Sequence, residues 1–423
     1  MSQQSATPIP ADLTPEEIRS ARRRGHIVLI SGQALAGVGM GATLSAGALL
    51  VTQISGSEAL SGMAATGTTV GAAIAAIPLA ALAHRAGRAP SLATGALIAA
   101  TGAGVGLLAA VLVSFPLLLV ALAMIGVGTA VNLQSRFAAT DLSEPGSSGR
   151  DLALVVWATT VGAVLGPNLI APADAFGLSL GLPTLSGPFL FTIAAQVLAA
   201  AIYLVFLRPD PLKLAERIGR ERHAAGLSEM VDIPKPDPSG VRTGMIALAL
   251  SHATMVSVMA MTPVHLVQNG ATLVIVGLTI SLHVAGMFGL SPVFGWLADR
   301  VGREPIIAVG QVLLLVALLL TSFGADHQGA VMAGLILIGL GWSASTVAGS
   351  ALIAESADPL RRTVIQGRAD LLMSAAGAIG GAAAGPALAV LAYNGLALAA
   401  VALVVVVLIA VAYRSAVRAQ RTA

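Results

Sequence analysis

The chain has 423 residues, of which 56% are hydrophobic and only 10% are charged, and its formal net charge is +3. A soluble protein of this length would need far more surface charge, and a membrane β-barrel would show short alternating segments, so both classes are excluded. Cysteine is absent, which excludes disulfides and thiolate metal ligands.

Apolar runs of about twenty residues recur along the whole sequence, and each is long enough to cross roughly 30 Å of hydrocarbon. We therefore predict an all-α polytopic membrane protein with twelve transmembrane helices. The predicted spans are 26–52, 57–82, 91–113, 115–137, 152–176, 186–208, 242–267, 273–298, 306–325, 329–354, 369–392 and 396–413. The sequence contains no nucleotide-binding loop, catalytic triad or carboxylate pair, so we do not expect an enzyme.

The distribution of the 23 Lys and Arg residues predicts the orientation of the chain. All of them fall in the two tails, in loops or at span ends that an even number of spans places on one side of the membrane. Loops on the other side, such as 268–270 and 326–328, contain none. By the positive-inside rule both termini are cytoplasmic. The basic residues therefore face a lipid bilayer, and a nucleic-acid partner is not expected.

Polar segments divide the chain into five parts. The predicted bounds are 1–25 for a cytoplasmic N-terminal tail, 26–208 for a first six-helix bundle, 209–241 for a cytoplasmic central loop, 242–413 for a second six-helix bundle and 414–423 for a cytoplasmic C-terminal tail. The tail sequence TPEE at 14–17 predicts the start of a short amphipathic helix at the lipid headgroups. The sequence PDPLKLAERIGRERH predicts a short surface helix in the central loop.

The two six-span halves repeat each other in sequence. The segment LAHRAGRAP at 82–90 recurs as LADRVGREP at 297–305, and the pattern Gly-x-x-x-Gly-Pro at 162–167 recurs at 381–386. A looser match links the Gly-Arg-Asp sequence at 149–151 with 367–370. Ordered matches at a nearly constant offset indicate two homologous, pseudo-symmetric bundles.

With these features, residues 26–413 resemble the major facilitator superfamily. The glycine-acid-basic loop motif of that superfamily is present between the eighth and ninth spans, as Gly295, Asp299, Arg300, Gly302 and Arg303. The resemblance implies a central cavity between the halves, alternating access and a gating role for these residues. The copy in the first half departs from the motif, because Ala81 replaces the glycine and His84 replaces the aspartate.

Soft metal donors occur as two pairs in the seventh and eighth spans. Met255 and Met259 are one helical turn apart, and so are His283 and Met287. Helices on either side of a turn run antiparallel, so two residues lie at the same depth when their numbers have the same sum. The sum is equal for Met255 with Met287 and for Met259 with His283, so both pairs lie in the same membrane layer. At ~1.5 Å per residue, this layer lies roughly 20 Å from the cytoplasmic helix ends, near the bilayer midplane where transporters bind substrates.

Thioether and imidazole donors together suit copper, whereas carboxylates, which suit harder cations, are absent from this layer. We predict a copper site at Met255, Met259, His283 and Met287, with copper as substrate and no permanently bound cofactor. His252 is a third candidate donor on the seventh span, and His265 near its outer end is a candidate for receiving an incoming ion. If protons are the coupling ion, His283 or His252 is the expected carrier, because no acidic residue is predicted mid-membrane.

The spacing of the two donor pairs resembles the CcoA-type copper importers of the same superfamily. That resemblance implies that Met255, Met259, His283 and Met287 bind copper and that copper enters a bacterial cytoplasm across the inner membrane. Two alternatives stay open from the residues alone. One is an exporter of hydrophobic small molecules or drugs, in which Met and His line a greasy cavity. The other is a membrane sensor or assembly factor.

Overall fold

The structure, a computed structural model, describes residues 14–56, 60, 63–144, 146–224 and 236–422, and these are almost entirely helical. The helices are α1 Pro15–Ser55, α2 Met63–Ala86, α3 Arg88–Val111, α4 Phe115–Ala138, α5 Ser148–Asn168, α6 Ile170–Ser179, α7 Gly187–Phe206, α8 Pro211–Ala224, α9 Pro238–Gln268, α10 Leu273–Phe288, α11 Ser291–Val301, α12 Arg303–Phe323, α13 Gln328–Ser356 and α14 Arg362–Thr422. A 3-10 turn, Pro359–Arg361, precedes α14.

The prediction of an all-α protein with twelve transmembrane helices is confirmed. Eight of the spans are single helices, the fifth is α5 with α6, the eighth is α10 with α11, and the last two form α14. Among the described residues alone, nine helical stretches are long and apolar enough to cross a membrane, and the last of these contains two spans. Large apolar side chains on the perimeter, such as Phe323 and Val390, are exposed where lipid would surround the protein.

Prolines explain why two spans are divided. A proline has no N–H for the carbonyl four residues earlier, and its ring clashes with that carbonyl. Pro172 lies four residues after Asn168, where α5 ends, and Pro292 lies four residues after Phe288, where α10 ends. The two spans of α14 meet instead at Ala392, whose φ of 54° reverses the chain without a loop.

The first helix differs from its predicted form. Thr14 caps α1 as predicted, because its hydroxyl accepts from the Glu17 N–H and the Glu17 carboxylate accepts from the Thr14 N–H. However, α1 continues without a break from Pro15 into the first span, so the predicted separate helix at the headgroups is wrong. An ion pair stabilises this extension, since Arg22 Nη2 lies 2.8 Å from Asp151 Oδ2 at the start of α5.

The predicted helix in the central loop is confirmed as α8. Asp210 joins it to the first half, because its carboxylate accepts from the Leu212 N–H at 3.1 Å and from the Ala89 N–H at the start of α3 at 2.8 Å. Residues 225–235 of the predicted loop lie outside the described residues.

Apolar cores fill each half. Two hydrophobic clusters lie among α1–α7 and two more lie mainly among α9–α14. In the second half, α13 occupies the central position, because α9, α10 and α12 all pack along it. By contrast, α9 and α10 make little contact with each other although they are consecutive in sequence.

The contacts that join the halves gather at one end of the bundle, which we call the arginine-rich end because Arg88, Arg136 and Arg303 lie there. At this end α5 and α11 touch through their backbones, since a Cβ on Gly295 would overlap the Gly149 carbonyl oxygen. Deeper along the same helices, Val156 packs in a buried cluster with Val347 of α13. The structure therefore shows the halves locked together at the arginine-rich end.

We predict that replacing Gly295 by Val will separate the halves at this end, because the new side chain cannot fit against α5. The chain has no cysteine, so a single Val156→Cys variant reports accessibility without background labelling. Maleimide labelling of this cysteine is expected to rise several-fold with Gly295→Val. Gly104→Val is the control, because nothing lies within 4 Å of a Cβ at Gly104. Equal labelling in both variants would contradict the packing described here.

Candidate functional site

The His283–Met287 pair lies directly on α13. His283 Nδ1 is 2.7 Å from the Leu335 carbonyl oxygen. One turn further along α13, a Cβ on Gly339 would overlap the His283 carbonyl oxygen and lie 3.0 Å from the Met287 backbone nitrogen. Only glycine at position 339 allows α10 to approach so closely, and this approach holds His283 in place.

The Met255–Met259 pair lies on α9, which also packs along α13. Trp342 of α13 shows how α9 is aligned along α13, because its indole Nε1 donates to His252 Nδ1 at 3.0 Å. Because α9 and α13 run antiparallel, Met255 is level with Gly339 and Met259 with Leu335. The two donor pairs thus lie in one layer of the bundle, on two helices that both pack along α13 and make little contact with each other.

Burial of the four predicted ligands is high. His283 is 0% exposed, Met255 is 3% exposed and Met287 is 9% exposed, while Met259 is partly buried against the same apolar cluster that holds the other two methionines. An imidazole with no contact to water in an apolar core is costly unless its nitrogens are bonded. The hydrogen-bond partners of His252, His265 and His283 therefore decide what each ring can bind.

His283 presents a free lone pair. A carbonyl oxygen can only accept, so Nδ1 must carry the hydrogen that it shares with Leu335. In the neutral ring the lone pair is then on Nε2, and this atom is buried with no hydrogen-bond partner among the described residues. A second group that fixes the tautomer through Nδ1–H is the arrangement found in metal-binding histidines.

His252 has the opposite tautomer. The indole N–H of Trp342 can only donate, so His252 Nδ1 uses its lone pair to accept and Nε2 carries the hydrogen. Nε2 faces α14, where a Cβ on Gly377 would lie 2.7 Å away. As a metal ligand, His252 would have to give up its bond to Trp342.

His265 has both nitrogens engaged at the end opposite the arginine-rich end. Nε2 donates to the Ala325 carbonyl oxygen at 2.8 Å, and Nδ1 lies 3.2 Å from the Asn269 amide nitrogen. Its ring stacks on Tyr393 with centroids 4.0 Å apart. His265 therefore joins α9 to α14 and to the loop after α12.

The gating motif lies at the contact between the halves. The Asp299 carboxylate accepts from the N–H groups of Gly149 at 2.9 Å and Arg150 at 2.8 Å, at the start of α5. A helix N-terminus attracts negative charge, so α5 of the first half binds a carboxylate of the second. Burial raises the pKa of Asp299, against the lowering effect of these N–H groups and of Arg303.

The remaining motif residues surround this contact. Arg303 Nη2 lies 2.7 Å from Asp299 Oδ1 and also donates to Ser148 of the first half at 3.1 Å. Gly302 has a φ of 109°, which a residue with a side chain rarely adopts. Arg300 turns away, and its guanidinium lies 4.6 Å from the centre of the Trp296 ring.

The first-half copy of the loop motif, which differs from the superfamily pattern, still contributes to the contact between the halves. Arg88, which matches Arg303, is fully buried and pairs with Asp141 at 2.8 Å. It also donates to Gln366 of the second half at 2.7 Å. His84, in the position of the missing aspartate, instead uses its carbonyl oxygen to accept from Lys213 at 2.9 Å.

Sequence reasoning missed a buried ion pair between the halves. Arg136 of α4 donates to Asp370 of α14 at 2.6 Å, and both side chains are almost completely buried. Sequence reasoning predicted no acidic residue mid-membrane and did not identify Asp370 as the partner of an arginine in the first half. The match between 149–151 and 367–370 was the available signal, because it placed an aspartate at the same point of both repeats.

The described residues contain no group of three or more His, Asp or Glu side chains that could hold a metal ion. Any metal site in this part of the chain must therefore use thioether ligands. Met124 of the first half is not available, because it packs against Gly102 between α3 and α4. Met40 likewise lies beside Gly128 and Gln196 inside the first half.

Comparison with known proteins agrees with this architecture. The sequence model of the Major Facilitator Superfamily matches residues 29–267 and 244–422. The uncharacterised MFS-type transporter YddS of Bacillus subtilis is 37% identical, over 91% of this chain and 89% of that protein. The riboflavin transporter RfnT of Brucella anthropi is 28% identical, over 84% of this chain and 86% of that protein.

Solved structures share the fold at low identity. The human organic anion transporter MFSD10 has a TM-score of 0.73 and 17% identity, covering 92% of this chain and 99% of its own. A bacterial homologue of the iron transporter ferroportin, in its outward-facing state, has a TM-score of 0.67 and 16% identity, covering 93% and 99%. At such identities the similarity shows the fold alone.

We predict that Gly339→Ala will destabilise the second half, because the added methyl group meets backbone atoms of α10. Overpacking of this kind costs about 1–3 kcal/mol. Gly349→Ala on the same helix is the control, because its Cβ would have ordinary contacts of 3.5 Å or more. Thermal unfolding in detergent should show a lower midpoint for Gly339→Ala only. Equal midpoints would mean that α10 is not held at this position.

Proposed function

The chain belongs to the Major Facilitator Superfamily, and on that premise we propose that this membrane transporter carries copper ions by alternating access. Its substrate site is the layer formed by His283 and Met287 on α10 and by Met255 and Met259 on α9. Copper is the cargo, and no resident cofactor is involved. The direction we propose is import across a bacterial inner membrane.

The observation that carries this proposal is the free Nε2 of His283. A buried nitrogen lone pair with no hydrogen-bond partner is costly in an apolar core, and binding a cation or a proton removes that cost. The thioether of Met287 lies one turn away on the same helix, and two more thioethers lie at the same depth on α9. Imidazole with thioethers is a donor set that selects copper over magnesium or calcium.

This layer lacks the ligands that harder cations prefer. Magnesium and calcium require oxygen ligands, and zinc in proteins usually has thiolate, imidazole or carboxylate ligands. Asp370, a buried carboxylate of the second half, is already paired with Arg136. Copper thus fits the available donors better than these ions do.

The charge distribution supports the proposed orientation. The arginine-rich end would face the cytoplasm by the positive-inside rule, with both termini on that side. The contacts between the halves at that end then close the protein toward the cytoplasm. Ions would enter from the opposite end and leave after the halves part at the arginine-rich end. If protons couple to transport, they compete with copper for Nε2 of His283.

Copper uptake by reconstituted vesicles tests the proposal. Met255→Leu and Met287→Leu keep the side-chain volume but remove sulfur, and His283→Gln keeps a donor for the Leu335 carbonyl oxygen but removes imidazole. We expect each variant to lower radioactive copper uptake at least tenfold, since each removes a ligand. Met124→Leu and the exposed His327→Gln are the controls and should transport normally. Wild-type uptake by His283→Gln would refute the copper site.

A second candidate is transport of an organic solute such as riboflavin. It is favoured by the similarity to RfnT, whose name gives riboflavin as its substrate. Trp342, with His252 and Phe288 against its ring, offers aromatic surface near the same layer. In the same vesicles, riboflavin uptake that persists in His283→Gln, together with no copper uptake by the wild type, would establish this candidate in place of copper.

A further inference from the structure

Arg136 sits in a pocket that resembles a cation site. Its Nη2 lies 2.6 Å from Asp370 Oδ1 and 3.6 Å from the Met373 sulfur. All three residues are buried, and Asp370 is 0% exposed. The second carboxylate oxygen, Oδ2, is buried with no hydrogen-bond partner among the described residues. A carboxylate and a thioether on one helix face thus hold a positive charge that belongs to the other half.

This pocket lies at the arginine-rich end, on the side that faces the proposed copper layer. Gly377 of α14 faces His252 of α9, which lies about one turn before Met255, toward the arginine-rich end. Toward the N-terminus of α14, Met373 lies about one turn before Gly377, and Asp370 lies three residues before Met373. At 1.5 Å per residue, Gly377 and Asp370 are therefore roughly 10 Å apart along the helix. Met373 and Met255 also share one apolar cluster. An ion that leaves the copper layer toward this end therefore passes Met373 and Asp370.

Alternating access must separate Arg136 from its partners. Arg136 belongs to the first half, whereas Asp370 and Met373 belong to the second, and they meet at the end where the halves are joined. When that end opens, the contact breaks and a carboxylate is left without its cation. Water can then reach Asp370, but its carboxylate and the Met373 thioether remain side by side without Arg136, so another cation can bind there.

We propose that Asp370 and Met373 form a second cation site, which receives the cargo when the arginine-rich end opens and which Arg136 fills when that end is closed. The inference rests on the proposed function for the identity of the cargo. The donor set suits release: a carboxylate is a harder ligand than thioether or imidazole, so it holds copper(I) more weakly than the first layer does. Return of Arg136 then displaces the ion.

Copper(I) stoichiometry of the purified full-length protein in lipid nanodiscs tests this directly. Arg136→Gln removes the resident charge and is expected to bind one more copper(I) than the wild type, measured by competition with a coloured chelator. Adding Asp370→Asn or Met373→Leu to that variant should return the stoichiometry to the wild-type value. The charge control is Arg150→Gln, whose side chain is exposed, and it should not change the stoichiometry. No extra ion in a folded Arg136→Gln variant would overturn the proposal.

Transport by the single variants provides an independent test that does not need Arg136 to be removed. Asp370→Asn and Met373→Leu should bind copper at the first layer as tightly as the wild type but take it up at least tenfold more slowly. Normal uptake by both variants would overturn the second site while leaving the copper layer intact. Slow uptake by Asp370→Asn with normal uptake by Met373→Leu would also overturn it, because Asp370 would then act only as the partner of Arg136. A wild type that binds no copper would instead reject the proposed function.

Discussion

Hydrocarbon offers no hydrogen-bond partners, and this constraint shapes the whole molecule. The backbone satisfies itself by forming helices, and polar side chains inside the bundle must find partners on neighbouring helices. Arg136 with Asp370 and His252 with Trp342 are examples. His283 satisfies one nitrogen at Leu335 and leaves the other without a partner. Several other buried polar atoms among the described residues also lack a partner, such as Gln33 Oε1 and Asp370 Oδ2, but His283 Nε2 is the imidazole nitrogen among them, so the copper site is argued from it.

The contacts between the halves explain how such a site can be reached from one side at a time. Asp299 binds the N-terminus of α5, Arg303 reaches Ser148, and Arg136 reaches Asp370. Each of these bonds has one member in each half. They can form only when the arginine-rich end is closed, and they must break together when it opens. The same groups that hold the observed conformation therefore become available for solvent or ions in the other conformation.

The sequence predicted the features that depend on local pattern. Span number follows from the length of apolar runs, and the Thr14 cap follows from its capping sequence. The equal depth of the two donor pairs follows from the hairpin formed by α9 and α10. The lateral arrangement could not be predicted in this way, because α9 and α10 pack mainly on α13, which is far along the chain, and little on each other. The Arg136–Asp370 pair and the tautomers of His252 and His283 depend on partners equally remote in sequence.

The central claim is that Nε2 of His283 and nearby thioethers bind copper within the bundle. X-ray absorption spectroscopy of the copper-loaded protein in nanodiscs tests it most directly, because nitrogen and sulfur scatter distinguishably and an imidazole ring adds a characteristic outer-shell signal. We predict one imidazole together with sulfur ligands in the wild type, and loss of the imidazole signal alone in His283→Gln. A spectrum with oxygen ligands only, or one that His283→Gln leaves unchanged, would contradict the account.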